Sequence, residues 1–328
     1  MNIFFSIITS TFNRKNELKK LIESLNSQTF KNFEWIIGDD GSTDGTEELI
    51  KSQIKSLKYN VTYMKSSHRI GLSKMTNLLI DRVKGKTFLI CDSDDFLKKK
   101  SLREIHKLFQ GLKKTEKNNL VGILSANVDE NNNNQLFYKN KIPKKNFILK
   151  WHKIYNLTYG DGTLIAYTHY FKKLKLPEVD FYIPMSTIFK NFENKKLLIT
   201  SKVFKIMKRD TKNSISFQNR MAYNRGNAYA ISICETGEFY RNQNIILKFK
   251  KIINYFRYCF HGDIGFYKSI KLWEIINKNK ILLILYILVM PIIFYDLIFK
   301  KIDKTHIEFN KNKKKFKIKK ILSNNFFS

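Results

Sequence analysis

Acidic side chains are outnumbered in this sequence, 28 Asp and Glu against 60 Lys and Arg, so the places where they gather stand out. Asp92-Ser93-Asp94-Asp95 directly follows the apolar run Phe88-Leu89-Ile90-Cys91. Three carboxylates this close repel one another, a cost that a cation would relieve. Hard oxygen ligands without His or Cys suit Mg²⁺ or Mn²⁺, which commonly bridge protein carboxylates to a substrate's phosphates. The plainer alternative is a solvated acidic turn that caps the next helix. A second cluster, Asp39-Asp40-Gly41-Ser42-Thr43-Asp44-Gly45-Thr46, also ends an apolar run. Any tight turn and N-cap would use these residue types, yet the Asp39-Asp40 pair also offers carboxylates to the donors of a nucleoside. A third cluster, Thr9-Ser10-Thr11-Phe12-Asn13-Arg14, supplies hydroxyls and a cation. Its Phe12 is either a core side chain or a flat face on which a base stacks.

The elements that must carry these clusters alternate regularly over the first 127 residues. Phe4–Ser10 is rich in β-branched residues and reads as a strand; Leu18, Leu21, Ile22 and Leu25 follow at helical spacing. Strands are expected at 33–38, 61–64, 87–91 and 120–126, and helices at 47–57, 73–83 and 102–112. Strand–helix alternation with short connections predicts an α/β fold of right-handed βαβ units around a parallel sheet. Parallel strands would bring all three polar clusters to the carboxyl edge of the sheet, where open α/β sheets bind ligands.

Beyond Asn127 the rhythm is lost. Asp129–Gln135, with four consecutive asparagines, reads as an exposed loop, and 136–220 as an aromatic-rich elaboration packed on the sheet. The organisation expected is 1–127 for ligand binding, 128–220 as the second half of the same domain, and 221–328 as a helical, basic extension. Its most apolar stretch, Ile281–Phe299, is interrupted by Pro291 and Asp296 and followed by ten lysines between Lys300 and Lys320. That pattern fits a helix inserted in the membrane interface with a polybasic follower on anionic lipid; a buried C-terminal helix is the alternative.

The 328 residues carry a net charge of +32, with 43% hydrophobic residues, so a disordered basic tail is excluded. The basic residues are 51 lysines and nine arginines; specific nucleic-acid contacts favour arginine, and no nucleic-acid-binding motif is present. Cys91, Cys234 and Cys259 are too few and too widely spaced for a disulfide framework and fit a reducing cytoplasm. No His spacing suggests zinc. Met1–Asn13 reads as a first strand rather than a signal peptide.

Taken in order, Ser6–Arg14, Gln28–Glu34, Asp39–Thr46, Gly71 with Asn77, and Asp92–Asp95 resemble family 2 glycosyltransferases of the GT-A fold. The resemblance spans residues 3 to about 110 and continues weakly through Trp151–Ser216. It implies a mainly parallel sheet flanked by helices, a nucleotide-sugar donor that is UDP-linked, and Mg²⁺ or Mn²⁺. Thr9, Ser10, Phe12, Arg14, Asp39, Asp40, Arg69, Asn77, Asp92, Ser93 and Asp94 match the nucleotide-sugar site, Asp40 at the base with Phe12 against it. Asp94 and Asp95 match the metal site. The resemblance further implies direct, inverting displacement onto a hydroxyl of a glycan or lipid-linked acceptor of bacterial cell-surface polysaccharide, at the cytoplasmic face of the inner membrane. The general base belongs to the second half, where the similar branch carries an acid after a proline. This sequence has Pro184-Met185-Ser186 instead, which leaves Asp180, with Glu178 and Asp161 as alternatives. A catalytically impaired binding or scaffold protein is the alternative that Met185 raises.

Overall fold

The computed structural model describes residues 2–130, 145–156, 162–178, 183–192, 194–208, 224–228, 230–231, 245–265, 267–270, 291 and 318–324. The β-branched run Phe5–Thr11 forms β1, and its neighbours in sequence order are α1 (Lys15–Asn26), β2 (Phe33–Asp39), α2 (Thr46–Ile54), β3 (Asn60–Ser66), α3 (Leu72–Arg82) and β4 (Thr87–Ile90). The helical spacing read in the sequence is the buried face of α1: Leu18, Leu21, Ile22 and Leu25 all lie in the core. Every residue of β2 is buried, as a strand covered on both faces must be.

The short β5 (Phe96–Leu97), α4 (Ser101–Gly111), α5 (Lys114–Lys117), β6 (Leu120–Asp129), β7 (Phe147–Lys150), β8 (Thr163–Tyr167), α6 (Thr168–Phe171) and β9 (Lys196–Met207) follow. The strand Ile318–Asn324, β10, pairs antiparallel with β3, where a helical extension was expected. The strand order is β10-β3-β2-β1-β4-β8-β6-β9-β5, with β7 on β9.

The expected parallel arrangement holds for β3, β2, β1 and β4. The sheet as a whole is mixed, because β8 runs antiparallel between β4 and β6. Pairing with β8 on both sides leaves β6 running in the direction of β4 without touching it.

One core dominates this sheet, built from Phe5, Ile7, Trp35, Ile37, Leu89, Ile105, Ile123 and Ile165 among others. Two compact units emerge: Met1–Lys175 with Asn194–Arg209 and Lys314–Ser328, and Leu176–Glu193 with Asp210–Lys313. The second contains a 3₁₀ turn at Met185–Phe192 and the helix α7 (Ile245–His261). On α7, Ile252, Tyr255, Phe256 and Cys259 pack into a small cluster with Ala228. Of the expected membrane segment, 281–299 apart from Pro291, and all of 300–317, lie outside the described residues. Among the described residues no helix is long and apolar enough to cross a membrane.

Candidate active site

Parallel neighbours end at one edge, so β1, β2 and β4 deliver their polar clusters side by side, with β1 at the centre. Strand order reverses at β1, since α1 leads to β2 on one side and α3 to β4 on the other; that switch point is where a crevice opens. Hydrogen bonds then tie the clusters together. Asp40 N–H donates to the Thr11 carbonyl at 2.9 Å. Asn13 N–H donates to Ser42 Oγ, and Thr43 N–H to Asn13 Oδ1, both at 2.9 Å. Lys15 N–H donates to Asp44 Oδ2 at 2.9 Å. Gly41 makes the turn at φ +86°, a conformation that a side chain disfavours.

Asp39 and Asp40 divide the work. Asp39 is fully buried; its Oδ1 accepts Ser42 N–H at 2.7 Å and its Oδ2 the Tyr63 hydroxyl at 2.6 Å. Its side chain shapes the turn. Asp40 turns toward the connection between β3 and α3, accepting Ile70 N–H at 2.6 Å and Gly71 N–H at 3.0 Å. These bonds place a carboxylate at the N-terminus of α3, where the helix dipole favours an anion. Burial nevertheless pushes Asp40 up to about 6, against the pull of the two N–H bonds and of Arg69. The Arg69 guanidinium lies 4.3 Å from the centre of the Phe12 ring, stacked on its face. Phe12 is therefore a half-exposed surface rather than a core side chain.

At the end of β4, Asp95 N–H closes a turn onto the Asp92 carbonyl at 3.0 Å. The turn sends its carboxylates in different directions. Arg14 Nη1 bonds Asp94 Oδ2 at 2.8 Å, linking the clusters of β1 and β4. Asp95, 3% exposed at its side chain, accepts Lys205 Nζ at 2.6 Å, and the same ammonium stands 4.0 Å from Asp92. Burial alone would lower the pKa of Lys205; Asp95 and Asp92 more than offset that and hold it above its usual value. The meeting is set by strand pairing, since β5 follows Asp95 directly and its Leu97 registers with Lys205 of β9. Register shifts between β6 and β9, after Ser125–Thr200, precede that point, the usual way a bulge re-aims side chains.

Sequence reasoning missed Lys205, one of 51 lysines and distant in the chain, with no local signal to mark it. The repulsion within Asp92–Asp95, read as needing a metal, is relieved by the protein's own Arg14 and Lys205.

Other site residues separate similarly. Thr9 is buried, its hydroxyl donating to the Cys91 carbonyl at 2.8 Å and accepting Trp35 Nε1–H at 3.0 Å, so it serves the sheet. Ser10 is half-buried opposite Gly38, while Ser93 and Asn77 are buried. At this sheet edge Arg69 reaches both Phe12 and Asp40, and Arg14 pairs with Asp94 of the turn that also carries Asp92. Asp161 and Asp180 lie outside the described residues, and Glu178 is exposed in the second unit.

For a divalent ion, the hard carboxylates of this turn that are not turned inward are Asp94, which also pairs with Arg14, and the half-exposed Asp92. Asp95 does not fit, because its carboxylate is turned inward onto Lys205. Among the described residues no group of three or more His, Cys, Asp or Glu side chains is placed to hold a metal alone.

A family model described as "Glycosyl transferase family 2" matches residues 6–173. The poly(ribitol-phosphate) beta-N-acetylglucosaminyltransferase TarS of Staphylococcus aureus strain Mu50 is 30% identical over 102 residues, 30% of this chain and 18% of TarS. The UDP-Glc:alpha-D-GlcNAc-diphosphoundecaprenol beta-1,3-glucosyltransferase WfaP of Escherichia coli is 36% identical over 91 residues, 28% of this chain and 35% of WfaP. This chain thus aligns with well under half of either relative. The crystal structure of S. aureus TarS 1–349 in complex with UDP-GlcNAc superposes with a TM-score of 0.57 at 17% identity, covering 88% of this chain and 80% of that one. At that identity the likeness is one of fold, the GT-A arrangement of a mixed sheet between helices. The family match runs from β1 to just past α6 and takes in each strand-end cluster of the crevice, and on that match this chain belongs to glycosyl transferase family 2.

Proposed function

We propose that this chain is an inverting glycosyltransferase that moves a sugar from a UDP-linked donor to a hydroxyl of a lipid-linked or polysaccharide acceptor, at the cytoplasmic face of a bacterial inner membrane. The observation that carries the reading is the convergence of three strand-end clusters on one crevice, cross-linked by the Arg14–Asp94 pair and by Asp40 on the β3–α3 connection. The printed name of WfaP pairs UDP-Glc with a diphosphoundecaprenol-linked acceptor, and the TarS structure holds UDP-GlcNAc; both support the donor class.

In this reading Asp40 accepts a ring N–H of the base, and Phe12 and Arg69 offer the base flat surfaces. Asp92 and Asp94 face the ribose, diphosphate and sugar, with Arg14 keeping a cation at the same edge. The acceptor oxygen attacks the anomeric carbon as the bond to the diphosphate oxygen breaks, and UDP departs with the bonding electrons. The acceptor's proton passes to a carboxylate of the second half, Asp180 in this reading, with Glu178 or Asp161 as the alternatives. Mg²⁺ or Mn²⁺ held by Asp94 with Asp92 would supply Lewis-acid stabilisation of the charge growing on the diphosphate.

The test is release of UDP from a panel of UDP-sugars with Mn²⁺ present. Slow donor hydrolysis by the parent chain, abolished in Asp94→Ala, is expected. Calorimetry that detects no nucleotide binding by the parent chain would sink the reading.

A further inference from the structure

Among the described residues, the large apolar side chains left exposed fall in one stretch: Ile245, Ile246, Phe249, Phe260 and Tyr267, from 37% to 76% accessible. Four of them belong to α7. That helix already has a buried stripe, Ile252, Tyr255, Phe256 and Cys259. At about 100° per residue, Ile246, Phe249, Ile253 and Phe260, spaced three, four and seven apart, make a second stripe roughly a quarter-turn round. Ile253 leans on the buried cluster, whereas Ile246, Phe249 and Phe260 stand outward. The apolar arc of α7 is therefore wider than its own core uses.

The charge that α7 itself carries has one sign, and the exposed Asp263 just beyond the helix pairs with Arg225. Lys248, Lys250, Lys251 and Arg257 lie on α7, and the helix contains no Asp or Glu. Lys250 and Arg257, seven residues apart, border the stripe on the side away from the buried face. A second copy of this chain, itself +32, would bring like charges together across such a face. An anionic lipid surface complements it, with the stripe among the acyl chains and the cations at headgroup phosphates. The helix has 17 residues, about 25 Å long, and four cations, so it suits lying along a bilayer rather than crossing it.

We propose that α7 is a membrane-interface helix that docks this chain on an anionic bilayer through Ile246, Phe249 and Phe260, with Lys250 and Arg257 at the phosphates. The proposal deepens the membrane location in the functional reading, rests on no step of the transfer chemistry, and adds a surface distinct from residues 281–320.

The experiment uses the full chain in co-sedimentation with vesicles of phosphatidylcholine alone and of phosphatidylcholine with about one third phosphatidylglycerol. The parent is expected to partition onto the anionic vesicles. Partitioning should fall at least about tenfold in Ile246→Asn/Phe249→Asn/Phe260→Asn and in Lys250→Glu/Arg257→Glu, with thermal midpoints unchanged. A Phe249→Trp chain should add a blue-shifted emission component when anionic vesicles are added, which keeps the test decisive if the triple variant misfolds. Three results would overturn the proposal: a triple variant binding within twofold of the parent, no emission shift at position 249, or equal binding to both vesicle types. So would a parent dimer without lipid that the triple variant breaks, since the stripe would then meet a second copy. UDP release without vesicles, measured on the same preparations, is expected to be unchanged, so failure of this proposal and failure of the transfer reading register separately.

Discussion

Replacing Lys205 with methionine keeps an unbranched apolar stem, one atom shorter, and removes the ammonium that Asp95 holds at 2.6 Å. Both partners are under a tenth exposed, so water does not substitute for the lost charge. Breaking a buried pair by removing one member costs about 3–5 kcal/mol, because the remaining charge is left unpaired. Against a total of roughly 5–15 kcal/mol for a folded domain, that leaves Lys205→Met marginal at pH 7. The penalty has a pH signature. Without Lys205 the Asp95 carboxyl titrates well above its unfolded value, so the native state binds the extra proton and stability falls as pH rises through that window. The variant should therefore recover part of its deficit toward pH 5. Lys205→Met/Asp95→Asn removes both charges and should be closer to the parent than the single variant, a departure from additivity of at least about 1 kcal/mol. Urea denaturation followed by tryptophan fluorescence at pH 5 and pH 7 measures all of this. A single variant within about 1 kcal/mol of the parent at pH 7, or a double variant as unstable as the single, would refute the assignment of a desolvated ion pair.

Further outcomes are expected elsewhere in the site. Since Asp40 is pushed up to about 6, it protonates in the folded chain before it would in the unfolded one, and stability declines as pH rises from about 4 to 6. In the proposed donor-binding reading the same protonation removes a base acceptor, so UDP affinity measured by calorimetry should weaken more steeply below pH 6 in the parent than in Asp40→Asn. Thr9→Val leaves Trp35 Nε1 without its acceptor, a loss of about 1–3 kcal/mol in thermal melts, with donor KM unchanged because the hydroxyl serves the sheet. Gly122→Ala would put a Cβ 2.0 Å from the Ile165 carbonyl oxygen. Backbone does not yield as a side chain does, so a loss of at least about 1–3 kcal/mol is expected in the same melts.

What the sequence disclosed follows from how local each signal is. Most strands and helices from β1 to α4 sit within a residue or two of where the apolar patterns put them, although α2 stops at Ile54 rather than at 57 and the two-residue β5 carried no pattern, and the polar clusters at the ends of β1, β2 and β4 meet as parallel neighbours must. Which acid of each cluster faces outward was not legible, because that depends on partners elsewhere: Tyr63 for Asp39, Ile70 and Gly71 for Asp40, Lys205 for Asp95. Thr9 illustrates the same limit, its composition suiting a binding loop and its bonds belonging to Trp35 and Cys91. The insertion of β8 and the return of β10 to β3 are pairings between distant segments, and period-2 patterning marks a strand without naming its neighbour.

The place of β8 bears on how the chain is made. Leu89 of β4 pairs with Ile165 of β8, and β6 reaches the parallel strands β1–β4 through that same strand. During translation the first four parallel strands leave the ribosome with the outer edge of β4 unpaired, and β6 then emerges with nowhere to dock. Both stay open, as templates for wrong pairing, until Thr163–Tyr167 is clear of the exit tunnel. A gene fragment stopped near residue 127 would keep every strand-end cluster of the crevice and still yield a sticky, incomplete sheet. The smallest expressible piece that preserves the crevice therefore extends past Tyr167, and past Lys205 if Asp95 is to keep its partner.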